Sequence, residues 1–164
     1  MRAYIELERA LREGDVARAR AALGDPPGFP SVNDPYTSTP LLALSLGWAP
    51  LEVVRELLDL GADPNFEALD GFPALAGVIL SERDDRHVLV GLLLEAGADV
   101  DRRGINDWTP LHAAAAQDDP ELVRDLLRAG ADAAARTTID DLETPLELAL
   151  RAGKPRAAAA LESR

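Results

Sequence analysis

The chain has 164 residues, enough for one well-buried domain or one short array of repeats. It carries 17 Lys and Arg against 29 Asp and Glu, and the resulting net charge of −12 opposes docking on nucleic-acid phosphates or on an anionic membrane surface. There is no cysteine, which excludes disulfides, thiolate nucleophiles and cysteine-held zinc or iron–sulfur sites.

The elements follow in chain order. Met1-Arg2-Ala3-Tyr4-Ile5-Glu6-Leu7-Glu8 is charged at helical spacing and lacks an apolar signal core. No apolar run approaches the roughly 20 residues of a membrane span, so the expected location is cytoplasmic. Two helices are predicted over 5–12 and 16–23, broken at Gly14-Asp15. This first unit, about 1–35, reads as an N-terminal cap. In the second unit, about 36–69, Thr39-Pro40-Leu41 opens a helix with Thr as N-cap and Pro at the first helical position. A second helix over 51–58 has apolar residues three and four apart and ends at Gly61-Ala62-Asp63, where glycine supplies a left-handed C′ residue.

The third unit, about 70–105, opens with a degenerate copy, Asp70-Gly71-Phe72-Pro73-Ala74-Leu75, and closes its second helix at Gly97-Ala98-Asp99. Starting its first helix at Ala74 gives the same interval as in the next unit, 74 − 61 = 13 and 110 − 97 = 13. From helix start to closing glycine the intervals are 61 − 40 = 21, 97 − 74 = 23 and 130 − 110 = 20. The third unit therefore carries about three extra residues, expected between Ser81 and Arg86. They read either as a functional loop or as a neutral surface insertion.

The fourth unit, about 106–140, contains Thr109-Pro110-Leu111-His112-Ala113-Ala114, then a helix near 122–127 and Gly130-Ala131-Asp132. The fifth, about 141–164, has Thr144-Pro145-Leu146 and a helix from Lys154-Pro155 but no closing Gly-Ala-Asp, and reads as a C-terminal cap. Caps at both ends lead to the expectation of a complete protein.

The fourth unit resembles an ankyrin repeat almost throughout, with a period near 33 and the Thr-Pro-Leu-His-x-Ala signature. The resemblance implies an all-α ankyrin-repeat solenoid of five helix–turn–helix units, with hairpin-like loops projecting at right angles to the helices. It also implies that His112 hydrogen-bonds loop backbone between neighbouring repeats. His87 is expected to be a surface or capping residue. Two histidines in different units, without cysteine, make neither a metal cluster nor a catalytic diad. The adjacent carboxylates Asp84-Asp85, Asp118-Asp119 and Asp140-Asp141 read as turn residues and caps, and phosphate-loop, Gly-x-Ser-x-Gly and His-Glu-x-x-His motifs are absent. Neither catalysis nor a cofactor is expected.

The family likeness implies a partner protein engaged by the concave face and loop tips. The candidate contacts on the loops are Tyr36, Phe66, Glu67, Asp70, Phe72, Arg102, Arg103, Ile105, Asn106, Asp107 and Trp108, since exposed aromatics and Arg dominate interface energetics. Phe72 reads equally as a staple between loops, whereas Arg103 and Trp108 read as contacts. Trp48 faces the groove or caps the core. Asp15, Glu82, Asp84, Asp85, Gln117, Asp118 and Asp119 fall in turns between paired helices, where the acids form a negative ridge that either receives a basic partner or serves solubility. The expected state alone is a monomer. An inhibitor, immunity-type or enzyme-protecting role fits the compositional bias toward a GC-rich, bacterial source. The alternatives are self-association through Trp48 or an imperfect cap, and a small-molecule or enzyme site in the groove.

Overall fold

The computed structural model describes residues 2–34, 39–66, 71–139 and 142–163. Among the described residues ten α-helices lie in five consecutive pairs: α1 (Arg2–Arg12) and α2 (Val16–Ala22), α3 (Leu41–Trp48) and α4 (Leu51–Asp59), α5 (Ala74–Leu80) and α6 (Arg86–Glu95), α7 (Pro110–Ala116) and α8 (Pro120–Arg128), α9 (Pro145–Arg151) and α10 (Pro155–Glu162). A short 3-10 turn, Ile105–Asp107, precedes α7. An isolated antiparallel bridge joins Asn33 and Pro40. First helices stack on one another (α3 on α5, α5 on α7, α7 on α9), and so do second helices (α2 on α4, α4 on α6, α8 on α10). This is the two-layer helical solenoid expected of ankyrin repeats.

Each second helix follows from its sequence. In α8, Leu122, Val123 and Leu126 are buried, while Glu121, Arg124, Asp125 and Arg128 face solvent. Asp119 caps its start by accepting from the Glu121 and Leu122 N–H groups, with Pro120 at the first helical position. At its end Gly130 takes φ +97°, and the Ala131 N–H reaches back to the Leu126 carbonyl. Gly61 and Gly97 repeat that closure, with Ala62 bonding Leu57 and Ala98 bonding Leu93. Small side chains let the layers approach: Ala113, Ala114 and Ala115 on α7 are all buried in a core that runs from Leu7 to Leu161.

The helix starts split into two registers. At α7 and α9 threonine is the N-cap and proline the first helical residue; at α9, Thr144 and Glu147 exchange backbone-to-side-chain hydrogen bonds as a capping box. At α3 the cap is Pro40 itself, with ψ 139°, so Thr39 is not the N-cap that Thr-Pro-Leu suggests. Pro73 caps α5 as Pro40 caps α3, so the start at Ala74 agrees with the interval, while Pro73 does match Pro40, the pairing that placing Pro40 inside α3 argues against.

The extra length of the third unit falls in the connection 81–85, against 49–50, 117–119 and 152–154 in its neighbours. The connection folds back onto the array. Arg83 is held bidentately by Asp85, at 2.7 and 2.6 Å, and donates to the Leu46 and Ala49 carbonyls at the end of α3, at 3.3 and 2.9 Å. Those carbonyls have no helical successor to accept from, so the insertion closes the preceding helix. The Arg83 hydrogen bond holds the Asp85 carboxyl below the usual carboxylate range.

Candidate functional site

The loops that follow each Gly-Ala-Asp are wired to one another by a side-chain ladder. Asp63, Asp99 and Asp132 each accept from the N–H two residues on, which fixes the turn. The residue at that second position then reaches the next loop. Asn65 accepts from the Asp99 N–H at 2.7 Å and donates to the Gly97 carbonyl at 3.0 Å. Ser31 makes the equivalent pair with the Asp63 N–H and the Gly61 carbonyl. Asp101 accepts from the Asp132 N–H at 2.9 Å, and as a carboxylate it has no donor to return. Ala134 occupies the next step and can do neither. Sequence comparison between units does not find this ladder, because Ser, Asn and Asp share a geometry and not an identity.

The projecting loops pack side by side. A Cβ on Gly104 would meet Pro73 Cδ at 2.7 Å, so close approach demands glycine there, while Gly71 takes φ +76° with the Ile105 side chain 3.1 Å from where its Cβ would stand. Ile105 and Asn106 stand at the exposed tip, and Arg102 is half-buried. Three residues expected as contacts also serve inside the array. Arg103 donates to the Arg136 carbonyl of the next loop at 2.8 Å, and Trp108 is half-buried, stacked over His112 with centroids 6.4 Å apart. Asp107 accepts from the Thr138 hydroxyl. Tyr36, Glu67 and Asp70, like Asp140 and Asp141, lie outside the described residues.

His112 is fully buried. Its Nδ1 accepts from the Thr109 N–H at 3.2 Å, which leaves Nε2–H to donate to the Glu143 carbonyl at 3.1 Å. That is the inter-repeat bond to loop backbone that the family likeness implies. Burial lowers its pKa, and the nearby Arg103 charge adds to the effect against the Glu143 carbonyl.

The acidic turns prove largely committed within the chain. Asp118 accepts from the Arg156 and Ala157 N–H groups at 2.9 Å each, capping α10 from the neighbouring pair. Asp119 is buried and receives Arg86 and His87, both at 2.9 Å. Burial alone would raise its carboxyl; the Arg86 hydrogen bond, the Leu122 N–H and His87 together outweigh that and hold it low. His87 thus links α6 to the next pair and is no simple surface residue. Asp15 caps α2 by accepting from the Arg18 N–H. Glu82, Asp84 and Gln117 remain exposed. Of the negative ridge expected along these turns, Asp85, Asp118 and Asp119 are therefore already paired. Trp48 is half-buried beneath the Arg12 guanidinium, 4.2 Å from its ring centroid, which corrects the picture of an exposed tryptophan available for self-association.

Where α3 and α5 lie side by side, a recess of about 220 Å³ opens beneath the loops, lined by Leu46, Gly47, Phe66, Phe72, Gly77 and Val78. Phe66 also walls a smaller pocket of about 160 Å³ with Asp63. Neither contains a titratable pair across its walls. Among the described residues no group of three or more His, Asp or Glu is arranged to hold a metal, and no helix is long and apolar enough to cross a membrane.

A family model for ankyrin repeats, in three copies, matches residues 78–162, a little over half of the chain. Alpha-latroinsectotoxin-Lt1a of Latrodectus tredecimguttatus is 37% identical over 100 residues, covering 60% of this chain and 7% of its own. Protein fem-1 homolog A of Danio rerio is 54% identical over 43 residues, 26% of this chain and 7% of its own. Protein PhlB of Serratia liquefaciens is 39% identical over 113 residues, 65% of this chain and 47% of its own. The chain thus spans from under a tenth to about half the length of these relatives.

Proposed function

The chain belongs to the ankyrin-repeat family, whose arrays are in general protein-binding modules, and from this premise we propose that it binds a partner protein through its loop tips and concave face without catalysing a reaction. The observation that carries the reading is the apolar recess between α3 and α5, lined by Phe66 and Phe72, with Phe72 and Pro73 packed against Gly104 of the loop that carries Ile105 and Asn106. Apolar groups in a recess beside a polar rim are where interface energy concentrates. The five helix pairs act as units of about 1–35, 36–69, 70–105, 106–140 and 141–164, the outer two as caps. The module is monomeric alone and works in the cytoplasm, as an inhibitor, immunity-type protein or enzyme-protecting scaffold.

The test is affinity capture from lysate of the source organism, followed by binding of the purified partner. Ile105→Glu combined with Asn106→Lys changes only exposed tip residues, and Val88→Glu on the exposed side of α6 is the matched control. The reading expects a partner bound by the native chain and the control and lost by the tip variant. Equal binding by all three, or no partner, overturns it.

A further inference from the structure

The recess between α3 and α5 exists because two helices each carry a glycine where a side chain would fit. A Cβ at Gly47 or Gly77 meets nothing within 4 Å. Glycine inside a helix is destabilising relative to alanine, and neither position has the positive φ or close approach that would require it. Packing of the solenoid leaves both glycines unexplained, whereas an occupant of the recess explains both.

The charge around the recess says what kind of occupant. The described stretches that line the recess, 39–66 and 71–82, hold five carboxylates (52, 56, 59, 63 and 82) and the single basic residue Arg55, a net of 1 − 5 = −4. Exposed acids adjoin its lining residues: Asp63 shares the neighbouring pocket with Phe66, and Glu82 and Asp84 follow Ser81 in the chain. Arg83 adds no free cation there, being held by Asp85 and two carbonyls.

We infer that the recess takes one bulky aliphatic or aromatic side chain from a lysine- and arginine-rich segment of the partner, whose flanking cations meet the surrounding acids. This rests on the protein-binding reading and assigns the chemistry of the segment bound. The apolar anchor supplies affinity and the charges supply encounter rate and salt dependence.

The test is fluorescence anisotropy with three short labelled peptides: a Lys/Arg-rich peptide with one central leucine, the same peptide with alanine there, and the leucine peptide with its cations replaced by Glu. The leucine peptide is expected to bind, roughly tenfold or more tighter than the alanine one, with affinity falling as salt rises and no binding of the Glu peptide. Gly77→Leu, and independently Gly47→Leu, should fill the recess, keep or raise the melting temperature and lower affinity at least tenfold. Gly91→Ala, which removes a helical glycine from α6 away from the recess, should leave binding unchanged. Equal affinity for the leucine and alanine peptides, or unchanged binding by both plugged variants, overturns the inference. If a captured partner loses binding to the Ile105→Glu, Asn106→Lys variant but not to Gly77→Leu, the recess assignment fails while the protein-binding reading stands.

Discussion

Asp101 and Asn65 hold the same step of the loop ladder, yet only the amide both accepts from the next loop and donates back to it. Asp101→Asn should therefore supply the missing donor to the Gly130 carbonyl and raise stability by about 0.5–1.5 kcal/mol, one hydrogen bond's net worth. Urea denaturation checks it, and an unchanged or lower midpoint contradicts the ladder. His112 makes a second residue-scale prediction. Its folded-state pKa lies below the unfolded value of about 6.5, so the unfolded chain takes up the proton first as pH falls. Stability is then full above about pH 6.5 and declines as pH drops through that value. Replacing His112 with Leu should lower stability overall and flatten this part of the curve, measured as melting temperature against pH. A slope unchanged in His112→Leu would assign it elsewhere. Losses from Asp85, Asp119, Glu143 and Glu147, whose carboxyls are all held low, belong to a more acidic window, through and below about pH 4.

At the scale of elements, the chain's own pattern announces most of the helices because their ends need specific chemistry. Only a residue tolerant of positive φ suits positions 61, 97 and 130, and only a short acceptor fixes the turn that follows, so Gly-Ala-Asp is visible three times. The Thr39-Pro40-Leu41 register was not legible, since proline serves both as an N-cap and as a first helical residue and the tripeptide fits either. Contacts between elements were hidden for another reason: Asp119 meets Arg86 and His87 some thirty positions earlier in the chain, and Arg83 reaches carbonyls of the pair before it. Asp119→Ala should uncap α8 and leave Arg86 and His87 without their shared acceptor. A loss of about 2 kcal/mol is expected, about 1 from the cap and the rest from the part-buried pairs. Faster amide exchange at the start of α8 and in the 81–87 segment would accompany it. Faster exchange confined to α8 would show that the link between pairs contributes nothing.

Over the whole molecule, the array works as a row of helix pairs joined by a buried core, loop-to-loop side chains and turn carboxylates that cap the neighbouring pair. Repeat recurrence makes the solenoid legible in the sequence, because each pair has to repeat the same closure in order to stack. The site was read less completely. The loop aromatics and Arg103 were visible as residue types, but their share in holding loops together is a matter of three-dimensional neighbours, and the recess comes from absent side chains at Gly47 and Gly77 that leave no motif. Higher salt should weaken partner binding in a chain of net charge −12, by screening the encounter with a basic segment. The most direct measurement is amide hydrogen exchange of the chain, free and saturated with its captured partner. Slowed exchange concentrated in the loops around 71–73 and 102–108 and in the facing turns of α3 and α5 is the predicted result. Slowing confined to α4, α6 and α8, with those loops unchanged, would place the partner on the opposite face and contradict the account.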